Sequence, residues 1–204
     1  VGRNRYSVEE FEEIMRYADG IGISSISDVP VKVAEDIADA VRERRAFLAI
    51  HVSERVREDI DAVLSLDPAF VVHMCEATEL DVTKCAEAEV PVAVCPGSNA
   101  YFGKVPPIAM LDDCGADVLL GTDNAMLRRP DMAAEASLLM GTVIEQGGDP
   151  DCVFGALTGM GGKILNRPSG MGAADAGHRM AVPFSGEYSS INVFRRGATG
   201  YMIH

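Results

Sequence analysis

Three apolar runs in this 204-residue chain each stop on a side chain that could bind a metal or move a proton. "FLAIHVSE" ends on His51, "VVHMCEA" carries His73, and "DVLLGTDN" ends on Asp123. Neutral imidazoles and a carboxylate are ordinary ligands for zinc or iron. Glu54 follows His51 by three residues, where a carboxylate leaving a strand can take a proton from an activated water. Each residue also has a plainer reading. A histidine ending a strand can be structural, Asp123 can cap a helix that follows it, and Glu54 can sit in a first helical turn. Their joint occurrence after apolar runs points to a shared site.

Stepping outward, these runs need elements to position them. "SVEEFEEIMRYADG" opens with a capping-box pattern at Ser7 and Glu10, and Phe11, Ile14, Met15 and Ala18 recur at helical spacing. "VKVAEDIADAVRERR" puts Val33, Ala34, Ile37, Ala38 and Val41 on one face. Helices are also expected over "REDIDAVLSLD", "TELDVTKCAEAE" with a cap at Thr78, "PPIAMLDDCG" and "DMAAEASLLMGTVIEQGG". Between them lie five short apolar strands, "IGISSI", "AFLAIHV", "AFVVHM", "VPVAVCP" and "ADVLLGTD". Strand and helix alternating in this way signal βα units and a parallel sheet. Strands without polar alternation fit a sheet covered on both faces. A doubly wound sheet and a barrel both agree with five such strands, and in either the loops after the carboxyl ends of the strands build the site. His51, His73 and Asp123 then share one rim.

"VCPGSNAYFGKVPP" also follows a strand. Ser98 and Asn99 there can orient a substrate or a metal ligand, or the stretch is a Pro-Gly turn with local caps. His178, in a Gly-rich loop, and the terminal His204 are read as incidental. After about Asp149 the pattern changes to a small-residue helix, "DPDCVFGALTGMGGKILN", then Gly-rich loop and one or two strands in "YSSINVFRRGATGYMIH".

Composition narrows the function. The chain is 48% hydrophobic and 24% charged, enough for a sizeable core. Its net charge of −13 disfavours nucleic acid and anionic membranes as partners. No apolar run approaches the ~20 residues that span a bilayer, and no apolar leader opens the chain. The five cysteines form no CxxC pair and suit reduced thiols in a cytoplasm. Neither a glycine-rich phosphate loop nor a GxSxG serine motif occurs.

The ordered series "AIHVSE … VVHM … VAVCPGSN … VLLGTDNAM" resembles the carboxyl half of the amidohydrolase superfamily, in the branch of chlorohydrolases and nucleobase-type deaminases. The resemblance runs over roughly residues 6 to 168. It implies a partial (β/α)8 TIM-type barrel, about strands 4–8, over residues 1–168, with residues 169–204 contributing a Gly-rich loop and a small C-terminal β element. It implies His51 and Asp123 as ligands of zinc or iron, and Glu54, His73 and Asp123 as catalytic. His73, Ser98 and Asn99 fall on the substrate side. The implied reaction is hydrolysis of a C–N or C–Cl bond of a small heterocyclic substrate, most simply deamination. Alternatives are a cyclic-amide hydrolase of the imidazolone type and a non-catalytic fragment that assembles with a partner chain.

This sequence departs from the superfamily pattern in lacking the HxH pair of the first barrel strand. A whole barrel takes about 250 residues. The expectation is therefore a truncated piece, a natural fragment or one part of a split protein. Such a chain would be inactive alone and would associate as a homo-oligomer or with its missing amino-terminal half.

Overall fold

The computed structural model describes residues 6–158, 179–181 and 201–203. Helix α1 (Val8–Ile14) starts where the Ser7 side chain accepts the Glu10 N–H, and α2 (Val31–Arg44) buries Val33, Ala34, Ile37, Ala38 and Val41 as the spacing predicts. Five strands follow the expected runs: β1 (Gly20–Ile23), β2 (Phe47–Val52), β3 (Phe70–His73), β4 (Val92–Val94) and β5 (Val118–Leu120). Between β2 and β4 lie α3 (Ile60–Leu64) and α4 (Glu79–Glu87). The second is closed at its start by a reciprocal capping box between Thr78 and Asp81. Asp81 also takes both arms of the Arg57 guanidinium at 2.7 Å, and this bond leads the causes that bring its carboxyl down to about 2.

After β4 the chain turns into α5 (Pro96–Tyr101), then α6 (Ile108–Asp113) before β5, and α7 (Met132–Gln146) and α8 (Cys152–Thr158) after it. The expected Pro-Gly turn at "CPGSN" is thus a helix start: Pro96 occupies the first turn, where its missing N–H costs nothing.

All five strands are parallel and stand in sequence order, β1-β2-β3-β4-β5. A doubly wound sheet would reverse its order part-way; unbroken order with helical crossovers is barrel winding. The register shows it as well. One row of paired residues, Ile23, Ile50, Val71, Val92 and Val118, crosses the whole sheet. It begins at the last residue of β1 and ends at the first residue of β5, the progressive stagger that barrel closure requires.

That row lies in the main core, between sheet and helices. The opposite face carries a much smaller apolar group, Val72, Ala93, Cys95 and Leu119 with Phe70 beside it. His51 pairs with Val72 and so continues the inner row Val72, Ala93, Leu119 toward β1. Burial alternates along β2, with Leu48, Ile50 and Val52 buried and Phe47, Ala49 and His51 half-buried. The two faces are therefore not equally covered, contrary to the expectation from the apolar runs.

Two further strands, β6 (Arg179–Ala181) and β7 (Tyr201–Ile203), pair antiparallel; β7 lies in the stretch expected to hold one or two strands, and β6 precedes that stretch. The expected boundary near residue 168, the Gly-rich loop, His178 and His204 lie outside the described residues. Among the described residues no helix is long and apolar enough to cross a membrane.

Candidate active site

The carboxyl ends of β2, β3, β4 and β5 bring the expected residues to one rim. His51, the fifth residue of β2, is half-buried. Its Nδ1 lies 3.1 Å from the Ile23 carbonyl oxygen of β1. A carbonyl only accepts, so Nδ1 carries the proton and Nε2 is left with a lone pair, the usual state of a ligating imidazole.

His73 ends β3 with φ of +80°, Met74 follows at +54°, and Asp123 stands at +53°. Left-handed backbone is costly for side-chain-bearing residues and collects where the surrounding structure imposes it, often at sites of chemistry. His73 is 1% exposed and its ring stacks on His51, with centroids 5.1 Å apart and planes 26° from parallel. Burial, helped by the neighbouring His51, holds its pKa below the ordinary value against the opposite pull of Glu54, Asp123 and Asn99. The ring is neutral at pH 7.

Asn99 presents its Nδ2 to His73 Nδ1 at 3.0 Å. Facing a donor, Nδ1 accepts, so the proton sits on Nε2. That nitrogen lies 3.7 Å from Glu54 Oε1. Glu54 stands in the loop after β2, well before α3, so it does not belong to a helical first turn. Asp123 likewise caps no helix: it lies three residues beyond β5, exposed, with its Oδ2 accepting from Ser98 Oγ at 2.5 Å, while Asp131 caps α7. Ser98 and Asn99 are both buried and aim at Asp123 and His73. His51, Glu54, His73, Ser98, Asn99 and Asp123 thus lie at one rim, linked through His73 on one side and through the adjacent Ser98 and Asn99 on the other.

Two glutamates that sequence reasoning missed support this rim. Glu58 is 7% exposed. Its Oε1 accepts from Ser25 Oγ (2.6 Å), Ser27 N (2.9 Å) and Ser27 Oγ (2.6 Å), and its Oε2 from Ser53 N (2.9 Å). Burial by itself would raise its pKa, but these donors outweigh it and the carboxyl ends below its ordinary value. Glu58 ties the loop after β1 to the loop after β2 and, with Ser24, Ser25, Ser27, Asp28, His51, Glu54, Arg55 and Val56, lines a small pocket opening beside His51. The three serines of "SSIS" were the available signal. Glu135 of α7 is the second, holding the Gly97 N–H at 2.6 Å.

The thiols at the rim are not nucleophiles: burial pushes Cys75 and Cys95 each up to about 12. Metal binding is a matter of counting donors. His51 Nε2 and the Asp123 carboxylate have suitable chemistry, but a catalytic zinc takes three protein ligands. Among the described residues no three of His, Cys, Asp and Glu come together to hold an ion. The described rim does not by itself fit a complete metal centre.

Similarity to known proteins agrees with this geometry at the level of fold. No family model matches the chain. It is 38% identical over 136 residues to a protein of Archaeoglobus fulgidus named "Putative aminohydrolase", a match covering 63% of this chain and 38% of that protein. A protein of the same name from Methanothermobacter thermautotrophicus is 29% identical over 134 residues, covering 60% of this chain and 35% of its own. The match thus spans little more than a third of either relative. Among solved structures, Helicobacter pylori aminofutalosine deaminase superposes with a TM-score of 0.74 at 14% identity, over 95% of this chain and 60% of that one. The fold is a partial barrel of the amidohydrolase kind. Guanine deaminase of C. acetobutylicum, solved with guanine, gives 0.70 at 14% identity over 83% and 48% of the two chains. An adenosine deaminase of Xanthomonas campestris, solved with zinc, gives 0.68 at 20% identity over 82% and 44%.

Proposed function

We propose that this chain carries part of the active site of a metal-dependent hydrolase that cleaves a C–N or C–Cl bond of a small heterocyclic substrate, most simply by hydrolytic deamination. The observation that carries the reading is the placement of His73: buried, neutral, stacked on His51, and directed by Asn99 so that its Nε2–H faces Glu54. In this reading water adds to the ring carbon that bears the amino group. Glu54 takes the water's proton and delivers it to the departing nitrogen, which leaves as ammonia. His73 Nε2–H donates to the oxygen that develops at the attacked carbon. Ser98 holds the Asp123 carboxylate in place, and Asn99 does the same for the His73 ring.

Zinc or iron, held in part by His51 and Asp123, would supply Lewis-acid activation of the water. The donor count favours a form in which the 204 residues are inactive alone and work when joined to further ligands, from a second copy or another segment. Association has a structural motive, because the edge strands β1 and β5 have no further strand beside them among the described residues. Five free cysteines suit a reducing cytoplasm.

Ammonia release from a panel of aminated heterocycles and nucleosides tests the reading. In the active protein Glu54→Gln is expected to lower turnover ~10²-fold or more with the fold intact. Turnover unchanged by this substitution would remove Glu54, and the mechanism with it.

A further inference from the structure

Behind the strand-to-helix turn that follows β4 stands a carboxylate with no role in the chemistry above. Glu135 lies in the first turns of α7 and is 2% exposed. Its Oε2 accepts the Gly97 N–H at 2.6 Å, a short hydrogen bond. Gly97 is the second residue of α5, so its N–H is one that a helix start leaves without an intrahelical partner. A side chain there would force the ends of Glu135 and Arg128 to shift. A Cβ at Gly97 would run into Glu135 Oε1 and stand 2.6 Å from Arg128 Nη1. The next two residues are Ser98 and Asn99, which reach Asp123 and His73.

We propose that Glu135 is a positioning residue of the site: by holding the Gly97 N–H it sets the first turn of α5 so that Ser98 meets Asp123 and Asn99 meets His73. The Asn99 amide has no second hold of its own. Its Oδ1 is buried and without a hydrogen-bond partner, so nothing at the far end of the side chain orients the group. The backbone of α5 therefore decides whether Nδ2 faces the ring, and Glu135 grips that backbone two residues earlier. Through Asn99 this contact determines which nitrogen of His73 is the acceptor and which points its proton toward Glu54. The catalytic meaning of the contact rests on the hydrolase reading, but the contact itself does not.

The experiment reads the Asn99–His73 bond directly, as the ¹⁵N–¹⁵N coupling across an N–H···N hydrogen bond in the NMR spectrum of the 204-residue chain. The unsubstituted chain should show coupling between Asn99 Nδ2 and His73 Nδ1. Glu135→Asp keeps the charge but is one methylene too short to reach Gly97, and Gly97→Ala displaces the carboxylate from the other side. Both should lose the coupling while backbone amide spectra elsewhere are retained. Glu135→Gln, which still offers an oxygen to the Gly97 N–H, should keep it. A purely structural Glu135 would leave the coupling in place in every folded variant, and that result overturns the proposal, as does loss in Glu135→Gln or absence in the unsubstituted chain. The expected coupling pattern, beside an active protein whose turnover Glu54→Gln leaves unchanged, would leave this inference standing and remove the hydrolase reading; turnover lost in Glu54→Gln with the coupling unaffected by Glu135 would do the reverse.

Discussion

Glu58, just before α3, and Glu135, in α7, are both buried and both hold a loop at the carboxyl end of the sheet, yet their pKa values move in opposite directions. Glu58 collects four donors from Ser25, Ser27 and Ser53, and its pKa falls below the ordinary value although burial is the largest single influence and acts upward. For Glu135 the corresponding donor is the Gly97 N–H, with Arg128 nearby, and burial wins: its pKa is raised. Burial alone does not decide which way the pKa of a carboxyl moves; the number of donors that meet it does. The β1–β2 side of the rim is thus a saturated scaffold, whereas the β4–β5 side depends on a single contact passed along α5.

The comparison breaks most readily by truncation. Glu58→Ala removes the acceptor of four donors, among them the buried Ser53 N–H, and is expected to cost about 3 kcal/mol of stability, against about 1–2 kcal/mol for Glu135→Ala. Urea unfolding of both variants checks this, and equal losses would end the contrast.

Titration sharpens it. Carboxyl ¹³C shifts followed with pH should place Glu58 below and Glu135 above the ordinary glutamate value of about 4.3. The signs for stability then differ. The folded-state pKa of Glu58 is depressed, so its contribution is complete above the unfolded value and is lost as pH falls through the lowered folded one. The folded-state pKa of Glu135 is raised, so its ionisation opposes folding, and that opposition fades as pH falls through the raised value toward the unfolded one. Reversed order in the titration would contradict the donor-count argument.

The smallest effect concerns one donor among four. Ser25→Ala is expected to cost about 1 kcal/mol and to move the Glu58 titration upward, measured in the same two ways. A Glu58 titration that stays put would show that Ser27 and Ser53 suffice.

Much of this rim was legible from the sequence because its signals are local. His51 and His73 end unmistakable apolar runs, Thr78 caps its helix where the capping-box pattern predicts, and Val33 to Val41 show a clean helical face. What escaped depended on distant partners. Glu58 is explained mainly by Ser25 and Ser27, up to 33 positions away, and Glu135 by a glycine 38 positions away. The helix at Pro96–Tyr101 was obscured because Pro, Gly, Ser and Asn in a row also spell a turn. Tertiary contacts with Glu135, Asp123 and His73 select the helix. For Asp123 the plainer reading as a helix cap does not hold: Asp131 caps α7, and Asp123 meets Ser98 of the turn after β4.

In the proposed hydrolase His51 and Asp123 would serve one cation at this rim. Competitive zinc titration of the active protein, beside His51→Ala and Asp123→Ala, tests it most directly. Each substitution is predicted to weaken zinc binding by roughly ten-fold or more, with the loss of a ligand at least matching the ~10–100-fold typical of the groups that orient one. Zinc affinity identical in all three proteins would contradict the account.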